Sequence, residues 1–325
     1  MQKKIKISII TPTLNNEKDI ESFLKSIRMQ DFMQSDIEII IADGGSVDKT
    51  LNIAKKYNAR IINNPHVFAD AGVNMGIKLA QGDLIMVLAT DNIFKSKSAL
   101  RRMANVFSDN SIYAAFPMQA VSRKDTIFSS YINTFTDPAN HFIYGYASNP
   151  RTFEKIFNII TKNNDYVIFD FTSNTDIPLI AFAQGFTVRS DFRRSSKNAF
   201  DDVTPVLELI RKNKKIAYVP SVALYHHTIN SLSHFIKKQA WRTNNYLLGT
   251  NFGISHRKKM LSVSQNRRLS IWPIYSITIL PPFFYGLYYL IKDKERMWLF
   301  HPILCIISGY TSLFTLIKFH MAGNK

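Results

Sequence analysis

Short apolar runs rich in β-branched residues alternate with amphipathic ones through the N-terminal part of the chain. Ile5–Ile10, Ile37–Ala42, Arg60–Ile62 and Leu84–Leu88 have the length and composition of strands. Between them Ile20–Met29, Lys49–Tyr57 and Ala69–Leu79 have the spacing of helices. This rhythm leaves few folds open, because parallel strands joined by right-handed helical crossovers build an open sheet with its ligand crevice beyond the carboxyl ends of the strands. The expected class is α/β with a Rossmann-like half. No Gly-x-Gly-x-x-Gly follows the first strand, which argues against a dinucleotide oxidoreductase.

The loops expected at those strand ends are polar. Thr11-Pro12-Thr13 and Asn15 follow the first strand, and Asp43-Gly44-Gly45-Ser46 the second. They read as a nucleotide pocket: an Asp at a strand end accepts hydrogen bonds from a ribose or base edge, and glycine lets backbone approach the ligand closely.

These loops resemble the "Ile-Pro-Thr-Tyr-Asn" and "Asp-Asp/Gly-Gly-Ser-Thr-Asp-Gly-Thr" segments of the family 2 glycosyltransferases, with Leu14, Val47 and Lys49 as departures. Ala69 to Asp83 is similar to that family's "Ala-Asn-x-Gly-Ile-x-x-Ala-x-Gly-Asp/Glu" segment and brings Asn74 into the pocket. The resemblance covers roughly residues 5 to 245. It implies a GT-A fold, an inverting reaction and a divalent cation, Mg2+ or Mn2+. The family's Asp-x-Asp after the fourth strand reads here Ala89-Thr90-Asp91, followed by Asn92, so one carboxylate remains as metal ligand and Thr90 or Asn92 are weak oxygen donors. Phe200-Asp201-Asp202 before an apolar helix resembles the family's acidic pair and makes Asp202 the expected general base beside Asp201. Asp91, Asp201 and Asp202 also read as plain helix caps. Tyr225-His226-His227 and Lys237-Lys238-Gln239-Ala240-Trp241-Arg242 resemble the family's "Tyr-His…Lys-Gln-x-x-Arg" stretch. On that resemblance His226 completes the metal shell or is structural, and Lys238, Gln239 and Arg242 face diphosphate. Gln184-Gly185 to Arg189 is similar to its acceptor loop, with Gln184 replacing a small residue.

Charge and apolar content bear on location. Lys and Arg total 41 against 24 acids, a formal +17, and no acidic residue lies between Glu208 and Asp293. Such a stretch suits anionic lipid headgroups or a lipid phosphate, or is a solvated face. No nucleic acid partner is expected, since no helix-turn-helix, zinc or RNA-binding signature accompanies the charge. Cys305 has no partner for an intrachain disulfide, which fits a reducing cytosol, and the apolar run before Thr11 is too brief for a secretory signal. Leu269–Ile291 carries no charged residue and Met297–Ile317 only His301, so two runs reach about 30 Å if helical. Pro273 and Pro281-Pro282 interrupt the first of them, so interfacial helices or a soluble extension compete with a spanning hairpin.

The expected organisation is a catalytic domain over 1–265 and a hydrophobic two-helix membrane hairpin over 266–325. The expected activity is sugar transfer from a nucleotide sugar to a hydroxyl of a lipid-linked glycan during polysaccharide biosynthesis, at the cytosolic face of the cell membrane. A polyprenyl-phosphate acceptor and a catalytically silent nucleotide-sugar-binding protein, the latter motivated by Ala89, are the rival readings.

Overall fold

The structure is a computed structural model and describes residues 5–182, 184–191, 204–247 and 258–323. Ten strands form one sheet: β1 (Ile7–Thr13), β2 (Ile37–Asp43), β3 (Arg60–Asn63), β4 (Leu84–Val87), β5 (Asn92–Phe94), β6 (Ile112–Ala120), β7 (Asn158–Lys162), β8 (Val167–Asp170), β9 (Thr187–Arg189) and β10 (Lys215–His226). Their order is β3-β2-β1-β4-β9-β6-β10-β8-β7, with β5 paired to β10. As expected, β3, β2, β1 and β4 are parallel. Strand β9 then runs antiparallel between β4 and β6, which makes the sheet mixed.

The local chemistry explains the layering. Strand β1 is covered on both faces, so Ile7, Ile9 and Ile10 are fully buried and the strand reads as a continuous apolar run rather than an alternation. Helix α1 (Ile20–Arg28) buries Ile20, Phe23, Leu24 and Ile27, one stripe at i, i+3, i+4 and i+7. Each such side chain contributes about 1.5–3 kcal/mol of burial. Helix α2 (Thr50–Lys56) leads into β3, and α3 (Ala69–Leu79) lies on β1. The approach of α3 demands glycine, since a Cβ at Gly76 would stand 2.5 Å from Ile10 Cγ2. Helices α4 (Ala99–Val106) and α7 (Thr204–Arg211) precede β6 and β10.

Two compact units result. The first takes in residues of 1–120, 157–173 and 180–226, and the second those of 121–156, 174–179 and 227–325. The expected boundary at 265/266 therefore does not coincide with a gap in packing. The reason is a shared core: Tyr131, Ile132 and Phe135 of α5 (Ile127–Phe135) and Phe235 of α8 (Leu232–Leu247) pack with Trp298 and Leu304 from the tail. Helix α6 (Pro138–Tyr144) belongs to the same unit.

Where two straight spans were expected, the tail has one long helix and one bent pair. Its first uncharged run is two helices, α9 (Val263–Ile277) and α10 (Leu280–Asp293), bent by 105°. Pro281 and Pro282 cause the break, because proline lacks the N–H that a continuing helix would use and suits a helix start. Pro273 is accommodated inside α9. Among the described residues, only Arg296–Met321, most of which belongs to α11 (His301–Gly323), is long and apolar enough to cross a bilayer as one unbroken segment.

Candidate active site

The loops after β1 and β2 lock together at the carboxyl edge of the sheet. Asn15 takes φ +52°, donates its N–H to Ser46 Oγ at 2.9 Å, and accepts from Val47 N–H at 3.0 Å. Gly44 N–H reaches the Thr13 carbonyl at 2.8 Å. The Asp43 carboxylate, expected to meet the nucleoside directly, is buried and already engaged. Its Oδ2 accepts from the backbone N–H of Gly45 and Ser46, both at 2.9 Å, and its Oδ1 from Thr13 Oγ1 at 3.3 Å and from the Ser46 hydroxyl. Asp43 therefore shapes the pocket wall. Thr11 is fully buried, Pro12 half-buried, and Asn74 half-buried in the middle of α3.

Along the same edge, β5 pairs antiparallel with β10 so that His226 stands opposite Asn92. This brings His226 Nε2 to 3.2 Å from Asp91 Oδ2, so the fold joins the two side chains expected to hold a metal. Asn92 is not the weak oxygen donor that the sequence suggests. It is fully buried instead, and its Nδ2 donates to Asp91 Oδ1 at 2.9 Å, Gln184 Oε1 at 2.7 Å and the Ala89 carbonyl at 3.3 Å. Gln184 is thus tied to the Asp91 loop, an arrangement that two short segments ninety-two residues apart give no local hint of. Gly185 follows at φ +70°, where a Cβ would stand 2.7 Å from Pro117 and 2.8 Å from Leu224. A carboxylate and an imidazole within 3.2 Å are the right donor types and spacing to share one hard divalent cation, the other positions falling to ligand oxygens and water. No group of three or more His, Cys, Asp or Glu gathers among the described residues.

Arg189, expected on the acceptor side, lies elsewhere in the first unit. Arg189 pairs with Leu84, at the amino end of β4, and its guanidinium is spent on the carbonyls of Ile112, Phe107 and Asp109 at 2.8–3.0 Å. It braces the opposite edge of the sheet and faces no substrate at the carboxyl edge. Lys238, Gln239 and Arg242 belong to the second unit. There Lys238 donates to Thr228 Oγ1, Gln239 is buried, and Arg242 lies 3.1 Å from the buried carboxylate of Asp137. Asp201 and Asp202 lie outside the described residues.

Comparison with known proteins identifies the family. Residues 8–174, just over half of the chain, match the family described as "Glycosyl transferase family 2". The poly(ribitol-phosphate) beta-N-acetylglucosaminyltransferase TarS of Staphylococcus aureus is 26% identical over 136 residues, 40% of this chain and 24% of that protein. The dolichyl N-acetyl-alpha-D-glucosaminyl phosphate 3-beta-D-2,3-diacetamido-2,3-dideoxy-beta-D-glucuronosyltransferase of Methanococcus voltae is 39% identical over 88 residues, 25% of this chain and 27% of that one. The alignment thus spans about a quarter of the length of these relatives. The mannosyltransferase PcManGT of Pyrobaculum calidifontis, solved with GDP-Man and Mn2+, superposes over 96% of this chain and 88% of its own with a TM-score of 0.53 at 13% identity, a likeness of fold.

Proposed function

The chain belongs to glycosyl transferase family 2, and from that premise we propose that it is an inverting glycosyltransferase that moves a sugar from a nucleotide-sugar donor to a hydroxyl acceptor. The observation that carries this reading is the meeting of Asp91 and His226 at the carboxyl edge of the sheet that also holds the Thr11–Asn15 and Asp43–Ser46 loops. The loops line the nucleotide pocket, with Asp43 keeping them in shape. Asp91 and His226 are the residues that would hold Mn2+ or Mg2+, which when bound supplies positive charge against the leaving diphosphate. PcManGT, of like fold, carries Mn2+ with its donor.

On the acceptor side, Asp202 is assigned as general base from sequence, with Asp201 beside it. It takes the proton of the attacking hydroxyl as that oxygen reaches the anomeric carbon. The acceptor is a lipid-linked glycan at the cytosolic membrane face, a class in keeping with the dolichyl phosphate substrate in the name of the Methanococcus voltae relative and with the basic stretch after Glu208. The TarS name favours a second acceptor, a polyol-phosphate polymer, whose repeating anions suit the same basic stretch.

A panel of nucleotide sugars tests the reading, with release of nucleoside diphosphate measured with and without Mn2+ and candidate acceptors. Asp91→Ala is expected to abolish release. Asp202→Asn is expected to lower acceptor-dependent turnover by about a hundredfold or more while donor affinity holds. Retained turnover in Asp202→Asn places the base elsewhere, and no release with any donor refutes the activity.

A further inference from the structure

Helix α10 is apolar on both faces. Inward, Pro282 and Gly286 are buried, and Tyr285 and Tyr289 pack on Trp298 at 5.7 and 4.9 Å between ring centres. A Cβ at Gly286 would stand 2.9 Å from the Trp298 carbonyl, so this face is closed. Outward, Leu280, Phe283, Phe284, Leu287 and Ile291 recur at helical spacing, and their exposure runs from 42% to 71%. A helix that is hydrophobic all round is either enclosed or in lipid. The second unit encloses only one side of this one.

The rim of that face is basic. Lys292, Lys294 and Arg296 are exposed at the end of α10 and just beyond it. The two acids among them are occupied: Asp293 by Lys155 at 2.5 Å, and Glu295 by the Met297 N–H at 3.3 Å. Tyr288, 56% exposed, lies under the Lys292 ammonium at 5.3 Å, an aromatic next to a cation where apolar surface ends.

Depth decides the mode of contact. Helix α10 has 14 residues, about 21 Å, too short for a hydrocarbon core of about 30 Å. Helix α11 is long enough, but its first half is committed to the unit: His301, Leu304, Cys305 and Ser308 are buried, and Ser312 Oγ lies 2.9 Å from Thr243 Oγ1 on α8. Helix α8 exposes Lys237 and Asn244 and holds the Arg242–Asp137 pair, so lipid covering the whole of α11 would also cover those groups at high cost. The remaining turns, Leu313–Met321, rise only about 13 Å.

We propose that the second unit attaches monotopically. The outer face of α10 lies at the headgroup–acyl boundary of one leaflet of an anionic bilayer, Lys292, Lys294 and Arg296 meet lipid phosphates, and none of helices α8 to α11 crosses. The proposal concerns attachment alone, so its failure leaves the proposed reaction standing.

Flotation of the chain with vesicles of phosphatidylcholine, alone or mixed with phosphatidylglycerol, tests the surface. Binding is expected to the anionic vesicles. It should fall about tenfold or more in Phe284→Glu/Leu287→Glu, with an unchanged circular dichroism spectrum and melting temperature because both side chains point outward. Lys294→Ala/Arg296→Ala should weaken only the anionic preference. Depth is tested in intact spheroplasts with a membrane-impermeant maleimide on Ser108→Cys, Lys294→Cys and Phe319→Cys, each in a Cys305→Ser background. None should label before lysis. Labelling of some and not others shows a crossing, single or as a hairpin, and overturns the proposal. So does vesicle binding unaffected by the glutamates, or a face covered by a second copy, seen as a dimer that the glutamates dissociate while lipid has no effect.

Discussion

Asn92→Asp tests the geometry around Asp91 more directly than removal of Asp91 itself. In the native chain the Asn92 amide nitrogen is 2.9 Å from Asp91 Oδ1 and 2.7 Å from Gln184 Oε1. An aspartate there replaces a donor by an acceptor and sets two carboxylates against each other. At 2.9 Å the repulsion is about 6 kcal/mol for an effective dielectric of ~20 and about 3 kcal/mol for ~40. The smaller figure suits a partner whose side chain is 27% exposed. Protonation of one carboxyl of ordinary pKa caps the cost at about 4 kcal/mol at pH 7. The variant should therefore melt about 6–15 °C below the native chain. The sign of the pH dependence follows. The folded variant binds a proton more readily than its unfolded chain, so the deficit is full near neutrality and shrinks as pH falls toward 4. Mn2+ should restore the melting temperature in the variant more than in the native chain, since the added carboxylate faces the same ion. Thermal unfolding by circular dichroism at pH 7 and pH 4.5, with and without Mn2+, reads all three effects. A variant as stable as the native chain at pH 7 without metal would refute the Asn92–Asp91 contact.

Three other outcomes follow from the same structure. Gly185→Ala is expected to cost about 2–4 kcal/mol, the sum of a left-handed φ and close contact with Pro117, read as a lowered denaturation midpoint. Arg189→Ala removes three hydrogen bonds to carbonyls and should destabilise by about 2–4 kcal/mol while nucleotide affinity by calorimetry stays unchanged; a loss of affinity at unchanged stability would return Arg189 to the site. Burial lowers the His141 pKa to about 4, below the ordinary 6.5, so the folded state disfavours its charged form. That contribution is complete above pH 6.5 and is lost as pH falls to 4, amounting to about 3 kcal/mol. His141→Phe should flatten stability in that window, and an unaltered acid limb would assign it to other groups.

The parallel half of the sheet was legible because burial on both faces leaves an unambiguous print, as in Ile7 to Ile10 and Ile37 to Ala42. The strand-end loops were legible for the related reason that crevice residues follow apolar runs at once. Arg189 was misplaced because nothing in Thr187-Val188-Arg189 states that the strand runs antiparallel between β4 and β6, and direction alone decides which edge of the sheet the Arg reaches. The unit boundary was hidden for a comparable reason. Trp298 and Leu304 share a core with Tyr131 and Phe235, partners far apart in sequence that no window of local composition connects. The break in the tail was half legible: two prolines announced an interruption, but their place at the first turn of a new helix, and the 105° bend, depend on what that helix packs against.

Ala89 has a consequence for how the proposed site would take a cation. Where the family has two carboxylates, this loop offers one, and the amide of Asn92 fixes its Oδ1 so that Oδ2 is the oxygen turned to His226. One carboxylate and one imidazole leave a divalent cation with a net positive charge, which a bound diphosphate neutralises and two protein carboxylates would already have reduced. Cation and nucleotide are then expected to bind cooperatively. Mn2+ alone should bind weakly, a nucleoside diphosphate alone should bind weakly, and each should tighten the other by the same factor, as linkage requires. Calorimetric titration of Mn2+ with and without UDP or GDP measures that factor. Ala89→Asp should shrink it by strengthening the binding of Mn2+ alone, and equal Mn2+ affinity with and without nucleotide would show that the protein donors suffice by themselves.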